Sequence, residues 1–216
     1  MAIITSPKFG KMKNKLDGLV FQKYRTLQVM RDRVIPRNPR TANQQLARAK
    51  FGVLGAMAAP FSPILGVGLA EYVKGTVMGV RNAFIKLNKA CVTGVSPDSL
   101  TIDYTNMVIA KGSLSNVTFG SIAVDNPLEV AVDFTPNTEA WDADADDLVR
   151  AFIYCPDLNS VISVSPVKRS VGSITATVPA TWAGQRVYVW GFCEGRGDDN
   201  YGKISNSAYI GSDTIA

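Results

Sequence analysis

The sequence contains no histidine, and its 216 residues include only three cysteines. Without imidazole the chain can form neither a Ser-His-Asp triad nor a Cys-His pair, and it cannot ligate zinc through histidine. Cys91, Cys155 and Cys193 are odd in number and lack CxxC spacing, so the sequence predicts neither a disulfide framework nor a zinc ribbon. Each cysteine lies in an apolar stretch, and we expect all three to be small buried hydrophobic residues.

Long apolar runs are also missing. No run reaches the roughly 18 apolar residues that a membrane helix requires. Pro60, Pro63, Glu71 and Lys74 interrupt the most apolar stretch, and residues 1–15 lack the continuous apolar segment of a signal peptide. We therefore expect a soluble protein without membrane contact, made in a reducing cytoplasm or packed into a particle that assembles there.

Charge is distributed unevenly along the chain. Residues 1–90 contain sixteen lysines and arginines against three acidic residues, a balance of +13. Residues 91–216 contain seven against fifteen, a balance of −8. These opposite signs indicate two compositional regions, and they are consistent with head-to-tail association of copies. Two solvated surfaces that only maintain solubility explain the same composition equally well.

The N-terminal region begins with a strand pattern. β-Branched and aromatic residues in 19–24 and 27–31 predict a β-hairpin, although the intervening turn lacks glycine and asparagine. Two prolines then hold the chain extended, because each proline disfavours helix at the preceding residue. Thr41 follows as an N-cap, and Gln44 is placed to complete a capping box.

A helical period starts at Ala42 and ends at Pro60. A serine and a proline then predict a second helix over residues 62–89. Four glycines weaken this second helix by about 1 kcal/mol each relative to alanine, and they favour close packing against another element. These glycines are Gly66, Gly68, Gly75 and Gly79.

After Gly94 the apolar period changes from helical to alternating. The segments that read as strands are 100–104, 107–111, 128–134, 148–154, 161–164, 173–178, 186–192 and 207–210. Their spacing predicts an antiparallel, immunoglobulin-like β-sandwich, and residues 187–192 are apolar on both faces, as in a central strand. The predicted fold class is therefore α+β. Residues 1–94 form a basic arm, a hairpin and two helices, and residues 95–216 form the sandwich domain.

Two segments of the predicted sandwich contain residue types found in binding sites. The carboxylates of residues 142–147 suit calcium, but the segment lacks the glycine and glutamate spacing of an EF-hand, so a solvated loop is favoured. Arg196-Gly-Asp198 lies in a glycine-rich connection where these residue types are expected in any turn, so adhesion through it is the weaker interpretation. No glycine-rich nucleotide loop is present. The sequence therefore predicts no catalytic residue, no metal site and no cofactor.

The strongest physical signal is a basic cluster. The first fifty residues contain twelve lysines and arginines, with Phe21 and Tyr24 interleaved. Such a cluster suits phosphate contacts along nucleic acid, without sequence reading because no groove-reading motif is present. Docking on an acidic surface of a neighbouring subunit is the interpretation we favour. The residues predicted to make the subunit or nucleic-acid contact are Lys11, Lys13, Lys15, Arg31, Arg33, Arg37, Arg40 and Arg48.

The segment from Pro36 to Phe51 resembles a recurring opening of uncharacterised phage and prophage proteins. In that family a glycine-flanked β segment leads into an Asn-Pro-Arg-Thr-x-x-Gln-x-x-x-Arg-x-x-Phe helix start, which residues 38–51 match. Residues 103–114 and 205–211 resemble later parts of the same family. The resemblance implies a structural role in the virion or associated with it, and it implies no catalytic residues.

The sequence and the resemblance together predict a non-enzymatic structural subunit of a bacteriophage virion that assembles through its basic N-terminal region. The expected partners are copies of the same chain and other virion proteins in the capsid, neck or tail. Before assembly the chain is expected in the host bacterial cytoplasm. A sequence-independent nucleic-acid-binding protein is the alternative, and an adhesive module that uses the sandwich loops is a third, weaker interpretation.

Overall fold

The computed structural model describes residues 2–4, 14–16, 18–24, 27–35, 38, 40–124, 126–197 and 199–216. The chain divides into two compact units, Met1–Thr41 and Ala42–Ala216. We call them the N-terminal unit and the C-terminal unit.

The N-terminal unit is a four-stranded antiparallel sheet with the strand order β1-β4-β3-β2. The strands are β1 (Ala2–Ile4), β2 (Asn14–Leu16), β3 (Leu19–Tyr24) and β4 (Leu27–Asp32). Tyr24 pairs with Leu27, which confirms the predicted hairpin, while Arg25 and Thr26 between them lie outside the described residues. The two short outer strands extend this hairpin on both sides, where the sequence predicted only an extended arm.

The C-terminal unit begins with a helical layer. Its helices are α1 (Ala42–Met57), α2 (Ser62–Gly68), α3 (Ala70–Val73) and α4 (Val80–Asn88). Because α1 begins at Ala42, Thr41 occupies the predicted N-cap position. Within the described part of the chain, no single helix is both long and apolar enough to cross a membrane. Taken together, α1 and α2 meet the length and composition required, with a bend of 88° between them.

The prediction of one helix over residues 62–89 is wrong, and its glycines explain why. Gly75 adopts a φ of +76°, a left-handed conformation that ends a helix and that only glycine adopts without strain. Gly79 is extended, with a ψ of 155°, and α4 starts directly after it. At Gly68 a side chain would come within 2.9 Å of Ala110, so the glycine allows the end of α2 to lie against residues 109–110.

The rest of the C-terminal unit is antiparallel β structure. A two-stranded ladder joins β5 (Val92–Thr93) to β6 (Thr101–Ile102). One sheet has the order β12-β8-β7, and the other has the order β10-β9-β13-β14, with β11 also paired to β9. These strands are β7 (Thr118–Ala123), β8 (Glu129–Thr135), β9 (Leu148–Cys155), β10 (Ser160–Ser163), β11 (Val167–Lys168), β12 (Ser173–Thr177), β13 (Arg186–Glu194) and β14 (Ala208–Thr214).

Most predicted strands are confirmed within a few residues, but residues 107–111 are irregular. The short strands β5 and β11 and the longer strand β7 were not predicted. The register of β7 against β8 shifts between Phe119 and Ile122. Such a bulge breaks the alternation of apolar and polar residues on which strand prediction depends. The two larger sheets share a core of residues from both, so the predicted sandwich is present.

The central strands β9 and β13 are covered on both faces, as the sequence predicted for residues 187–192. Ile153 and Val189 are buried in the core between the two sheets. Phe152 and Trp190 are buried on the opposite face, in a core shared with the helices. There the ring of Phe61 meets the ring of Trp190 edge-on, with 6.1 Å between the centroids. The C-terminal unit therefore has three layers, with the larger sheet in the middle.

The helices are joined to the sandwich by polar contacts as well as by packing. Glu71 of α3 accepts hydrogen bonds from the backbone N–H of Ile204 (2.7 Å) and from the Ser113 hydroxyl (2.7 Å). A side chain at Gly112 would overlap both the Glu71 carboxylate and the Ile204 carbonyl, so this close approach requires glycine.

The structure places the division between compact units at Thr41–Ala42 and not at the predicted boundary after residue 94. The apolar side of the helices is buried against the sheet, in a core that both share. The switch of period near residue 94 therefore marks a change of secondary structure within one compact unit.

All three cysteines are free and buried, which confirms the prediction made for them. Burial raises the pKa of the Cys193 thiol, with the nearby Asp147 carboxylate adding to this effect, and the opposing charge of Arg169 does not reverse it. These cysteines therefore act in packing, in line with their apolar surroundings.

Candidate functional site

The structure describes five of the eight residues predicted to make a subunit or nucleic-acid contact. Lys15 of β2 pairs with Val20 of β3, which pairs with Arg31 of β4, so one cross-strand row of the N-terminal sheet carries two basic residues. Arg31 and Arg33 are exposed at the end of β4, where the Arg33 N–H donates to the Gly18 carbonyl (2.7 Å). The remaining three, which lie outside the described residues, are Lys11, Lys13 and Arg37.

Arg40 and Arg48 belong to different compact units. Arg40 is an exposed residue of the N-terminal unit with a φ of +48°, a conformation that costs a non-glycine residue free energy. Arg48 is exposed on α1 in the C-terminal unit. A joint role of these two arginines in assembly stays a prediction.

Charge divides between the two compact units. The N-terminal unit has ten lysines and arginines against Asp17 and Asp32, a balance of +8. The C-terminal unit has thirteen against sixteen acidic residues, a balance of −3. Positive charge is therefore concentrated in the first 41 residues more strongly than the division at residue 90 indicated.

The acidic segment 142–147 is not the fully solvated loop that the sequence favoured. Asp144 and Asp146 are exposed, but Asp142 and Asp147 are buried. This burial was not predictable from the sequence, because Ser115, Arg169 and Arg196, which contact the buried carboxylates, lie far from them along the chain.

A buried ion pair holds this segment in place. A carboxylate oxygen of Asp147 lies 3.3 Å from a guanidinium nitrogen of Arg169, and both side chains are 0% exposed. The Arg169 guanidinium also donates to the backbone carbonyls of Ser115 (2.7 Å) and Pro136 (3.2 Å). Arg169 lies in a short 3-10 helix, Arg169–Val171, so one side chain links three separate connections between strands.

The two buried carboxylates accept backbone hydrogen bonds as well. Asp147 accepts from the N–H groups of Asp144 (2.9 Å) and Arg196 (3.0 Å), which draws in the loop between β13 and β14. Asp142 accepts from the N–H of Ser115 (2.8 Å), while its other carboxylate oxygen is buried without a partner among the described residues. Burial raises the pKa of Asp142, but the bonds from Ser115 and the nearby guanidinium outweigh burial, so the pKa lies below its usual value.

Two aromatic side chains stand out from this buried network. Trp141 is 91% exposed and Tyr201 is 72% exposed. The Asn200 amide donates to the Asp142 backbone carbonyl (2.8 Å), so the residues next to Trp141 and Tyr201 are hydrogen-bonded to each other. We define the loop-end surface as six exposed residues on these linked connections that are acidic, apolar or aromatic, namely Trp141, Asp144, Asp146, Val171, Asp199 and Tyr201.

The Arg196-Gly-Asp198 tripeptide lies in the same region. The Arg196 N–H is bonded to Asp147, and its guanidinium lies 3.3 Å from the Glu194 carboxylate. A side chain at Gly197 would come within 2.8 Å of the exposed Asp144 carboxylate, which would have to shift, and Asp198 lies outside the described residues. Arg196 thus contributes to the loop structure, and adhesion through the tripeptide stays a prediction.

The residue types of the loop-end surface can contact a partner but include no evident catalytic group. Exposed carboxylates accept hydrogen bonds and attract cations, and exposed aromatic rings provide large contact area at little loss of side-chain entropy. In the described part of the chain, no three histidine, cysteine, aspartate or glutamate side chains are grouped to hold a metal ion. Trp141 and Tyr201 were not predicted as site residues, and the signal available in the sequence was an aromatic residue among polar ones in a predicted loop.

Comparison with known proteins gives a family. The family described as "Family of unknown function (DUF6266)" matches residues 10–211. The chain belongs to this family. No curated protein matches the chain. Among solved structures, the solution structure of the fn3 domain of human collagen alpha-1(XX) chain is similar over 50% of this chain and 90% of that chain, with 13% sequence identity and a TM-score of 0.37.

Proposed function

We propose that this protein is a non-enzymatic structural subunit that assembles with copies of itself through its basic N-terminal unit. The observation that carries the proposal is the division of charge between the two compact units, +8 in Met1–Thr41 and −3 in Ala42–Ala216. A small unit with this excess of positive charge repels itself and is attracted to an acidic surface. The exposed carboxylates of the C-terminal unit offer such a surface on every copy.

The assembly we propose is part of a bacteriophage virion, in the capsid, neck or tail. Support comes from the resemblance of residues 36–51 to the opening of phage and prophage proteins. In this proposal the sandwich is an immunoglobulin-like scaffold, with the chain crossing between the sheets from β8 to β9, from β11 to β12 and from β12 to β13. A rigid sandwich that carries binding residues on its connecting loops suits a subunit with several contacts.

Self-assembly is tested by sedimentation velocity of the purified chain over a range of concentrations and salt. We expect the mass to rise above the 23.2 kDa monomer with concentration at low salt, and to return to the monomer near 1 M salt, where screening shortens to about 3 Å. The double variant Arg31→Glu/Arg33→Glu should remain monomeric. A matched variant with the same charge change, Lys74→Glu/Lys89→Glu, should associate more nearly as the unchanged chain does, since both lysines are exposed and outside the N-terminal unit. An unchanged chain that stays monomeric throughout would contradict the proposal.

The virion part of the proposal is tested separately. Phage particles induced from the bacterium that carries the gene are purified by density gradient and analysed by quantitative mass spectrometry. We expect the chain in the particle fraction at a fixed ratio to the other virion proteins. Particles that lack the chain, while the purified chain associates in solution, would place the assembly outside the virion.

Sequence-independent nucleic-acid binding is the second candidate function. It is supported by the exposure of Arg31 and Arg33 at one end of the sheet in the N-terminal unit, whose net charge is +8. Phosphate contacts predict an affinity for duplex DNA or RNA that falls steeply with salt and is the same for unrelated sequences. A gel-shift titration at two salt concentrations checks this, and binding that survives high salt or depends on sequence would contradict it.

A further inference from the structure

The loop-end surface presents aromatic side chains on a backbone that is already fixed. Trp141 precedes the buried Asp142, and Tyr201 follows Asn200, whose amide is bonded to the Asp142 carbonyl. The buried pair of Asp147 and Arg169 anchors the adjoining connections. Because the backbone is held in the free protein, a partner that covers these rings pays little further ordering entropy. Rigid exposed Trp and Tyr residues are the type that dominates binding energy at interfaces.

The charge around these rings is negative and accessible. Asp144, Asp146 and Asp199 are exposed. Lys168 lies 2.7 Å from Asp146, but both side chains are more than half exposed, so a competing cation can replace this pair at a cost of less than about 1 kcal/mol. Arg196 is directed to Glu194. The surface therefore combines aromatic faces with carboxylates that can take a new cationic partner.

The complementary chemistry occurs in the same chain. The N-terminal unit carries a net charge of +8, and the exposed Arg31 and Arg33 are followed by Val34 and Ile35, both largely exposed. Arginine packs on aromatic faces and pairs with carboxylates in two-point contacts, and exposed aliphatic side chains cover indole and phenol rings. The segment of residues 31–35 thus matches the loop-end surface in both charge and apolar character.

We infer that the loop-end surface of one copy is the docking site for the basic N-terminal unit of a second copy. The inference rests on the proposed self-assembly and adds the acceptor surface to it. The two contacting surfaces differ, so the interface is heterologous, and each copy has one donor surface and one acceptor surface. Repetition of such a contact builds a closed ring or an open filament.

The test uses full-length variants that each lose one surface. The acceptor variant is Trp141→Ala/Asp146→Lys/Asp199→Lys, and the donor variant is Arg31→Glu/Arg33→Glu. Each alone should be monomeric, with self-association weakened by about 30-fold or more, as expected for loss of a hot-spot aromatic. An equimolar mixture should form a 1:1 heterodimer that does not grow further, because its outer surfaces are both inactivated. Sedimentation velocity measures all three samples.

A control variant carries the same charge change at the other end of the sandwich. The control variant is Asp157→Lys/Asp213→Lys/Val95→Ala. Asp157 is exposed beyond the end of β9, and Asp213 is exposed near the end of β14. Val95→Ala removes an apolar side chain that is as exposed as Trp141. The control should associate as the unchanged chain does. Circular dichroism melting of all variants should agree within a few degrees, since every substituted residue is exposed.

The outcomes separate the inference from the proposal on which it rests. If the unchanged chain associates and the acceptor variant associates equally well, the loop-end surface is not the docking site, while self-assembly stands. If the control loses association together with the acceptor variant, the effect comes from net charge and the inference is overturned. A mixture of the two inactive variants that stays monomeric overturns it as well. A monomeric unchanged chain overturns the proposed function itself.

Discussion

Replacement of Asp147 by asparagine should destabilise the C-terminal unit severely. The Asp147 and Arg169 side chains are 0% exposed, and the guanidinium is held by two backbone carbonyls that carry no formal charge. Asparagine has nearly the same shape but removes the only formal negative charge in that ion pair. Removal of one partner of a buried ion pair typically costs about 3–5 kcal/mol, because the other charge remains in a medium of low dielectric constant.

The matched control is the surface pair between Lys168 and Asp146. The distance is 2.7 Å, shorter than that of the buried pair, but the side chains are 60% and 66% exposed. Exposed pairs contribute about 0–1 kcal/mol, so Lys168→Met should have a small effect. For a chain of this size 1 kcal/mol corresponds to about 2–4 °C in Tm. We therefore expect a fall of about 6–20 °C for Asp147→Asn and of less than about 4 °C for Lys168→Met.

Urea unfolding followed by tryptophan fluorescence and circular dichroism gives both free energies. Arg169→Met should cost a similar amount to Asp147→Asn, and the double variant should cost less than the sum of the two single changes, because the removal of both charges leaves no unpaired one. Equal losses of unfolding free energy for Asp147→Asn and Lys168→Met would contradict a special cost of unpairing the buried charge. A strictly additive double variant would show that the pair is not coupled.

Three further predictions concern the contacts within the C-terminal unit. Gly112→Ala should lower the free energy of unfolding by about 1–3 kcal/mol, since the new methyl group would overlap the Ile204 carbonyl and the Glu71 carboxylate. An unchanged urea midpoint would contradict this close approach. Burial raises the pKa of Glu71, but its hydrogen bonds outweigh burial, and the pKa of Asp142 is lowered in the same way. The stability these carboxylates contribute is present above their ordinary pKa values and is lost as the pH falls through the lowered ones, so a Tm that rises toward pH 2 would contradict the assignment. Burial raises the pKa of the Cys193 thiol, so iodoacetamide at pH 8 should modify it only after unfolding, and rapid labelling of the native chain, detected by mass spectrometry, would show that the thiol is accessible.

Features that depend on local pattern were predictable from the sequence. The hairpin of β3 and β4 follows from two short β-rich runs separated by two residues. The central position of β13 follows from its apolar residues on both faces. The helix that starts at Ala42 follows from a period of apolar residues behind a capping residue. In each case neighbouring residues contain the whole signal.

Features that depend on distant contacts were not predictable. The burial of Asp147 requires Arg169, which follows it by 22 residues in another connection. The division at Thr41–Ala42 depends on the packing of the helices on the sheet, which no local pattern predicts. The reversal of charge near residue 90 indicated a later boundary. The bulge in β7 and the glycines after α2 interrupt periodic patterns without any signal of what replaces them. The loop-end surface becomes visible only once these connections lie side by side.

Zero-length cross-linking of isotope-mixed protein shows whether the basic N-terminal unit of one copy contacts the loop-end surface of another. Equal amounts of unlabelled and ¹⁵N-labelled full-length chain are mixed at low salt, and a carbodiimide couples lysine amines to carboxylates in contact. We expect peptide pairs of mixed isotope that join a lysine of residues 1–41 to Asp144, Asp146 or Asp199. Cross-links found only between peptides of the same isotope, or mixed pairs confined to other surfaces, would contradict assembly through the basic N-terminal unit and the loop-end surface.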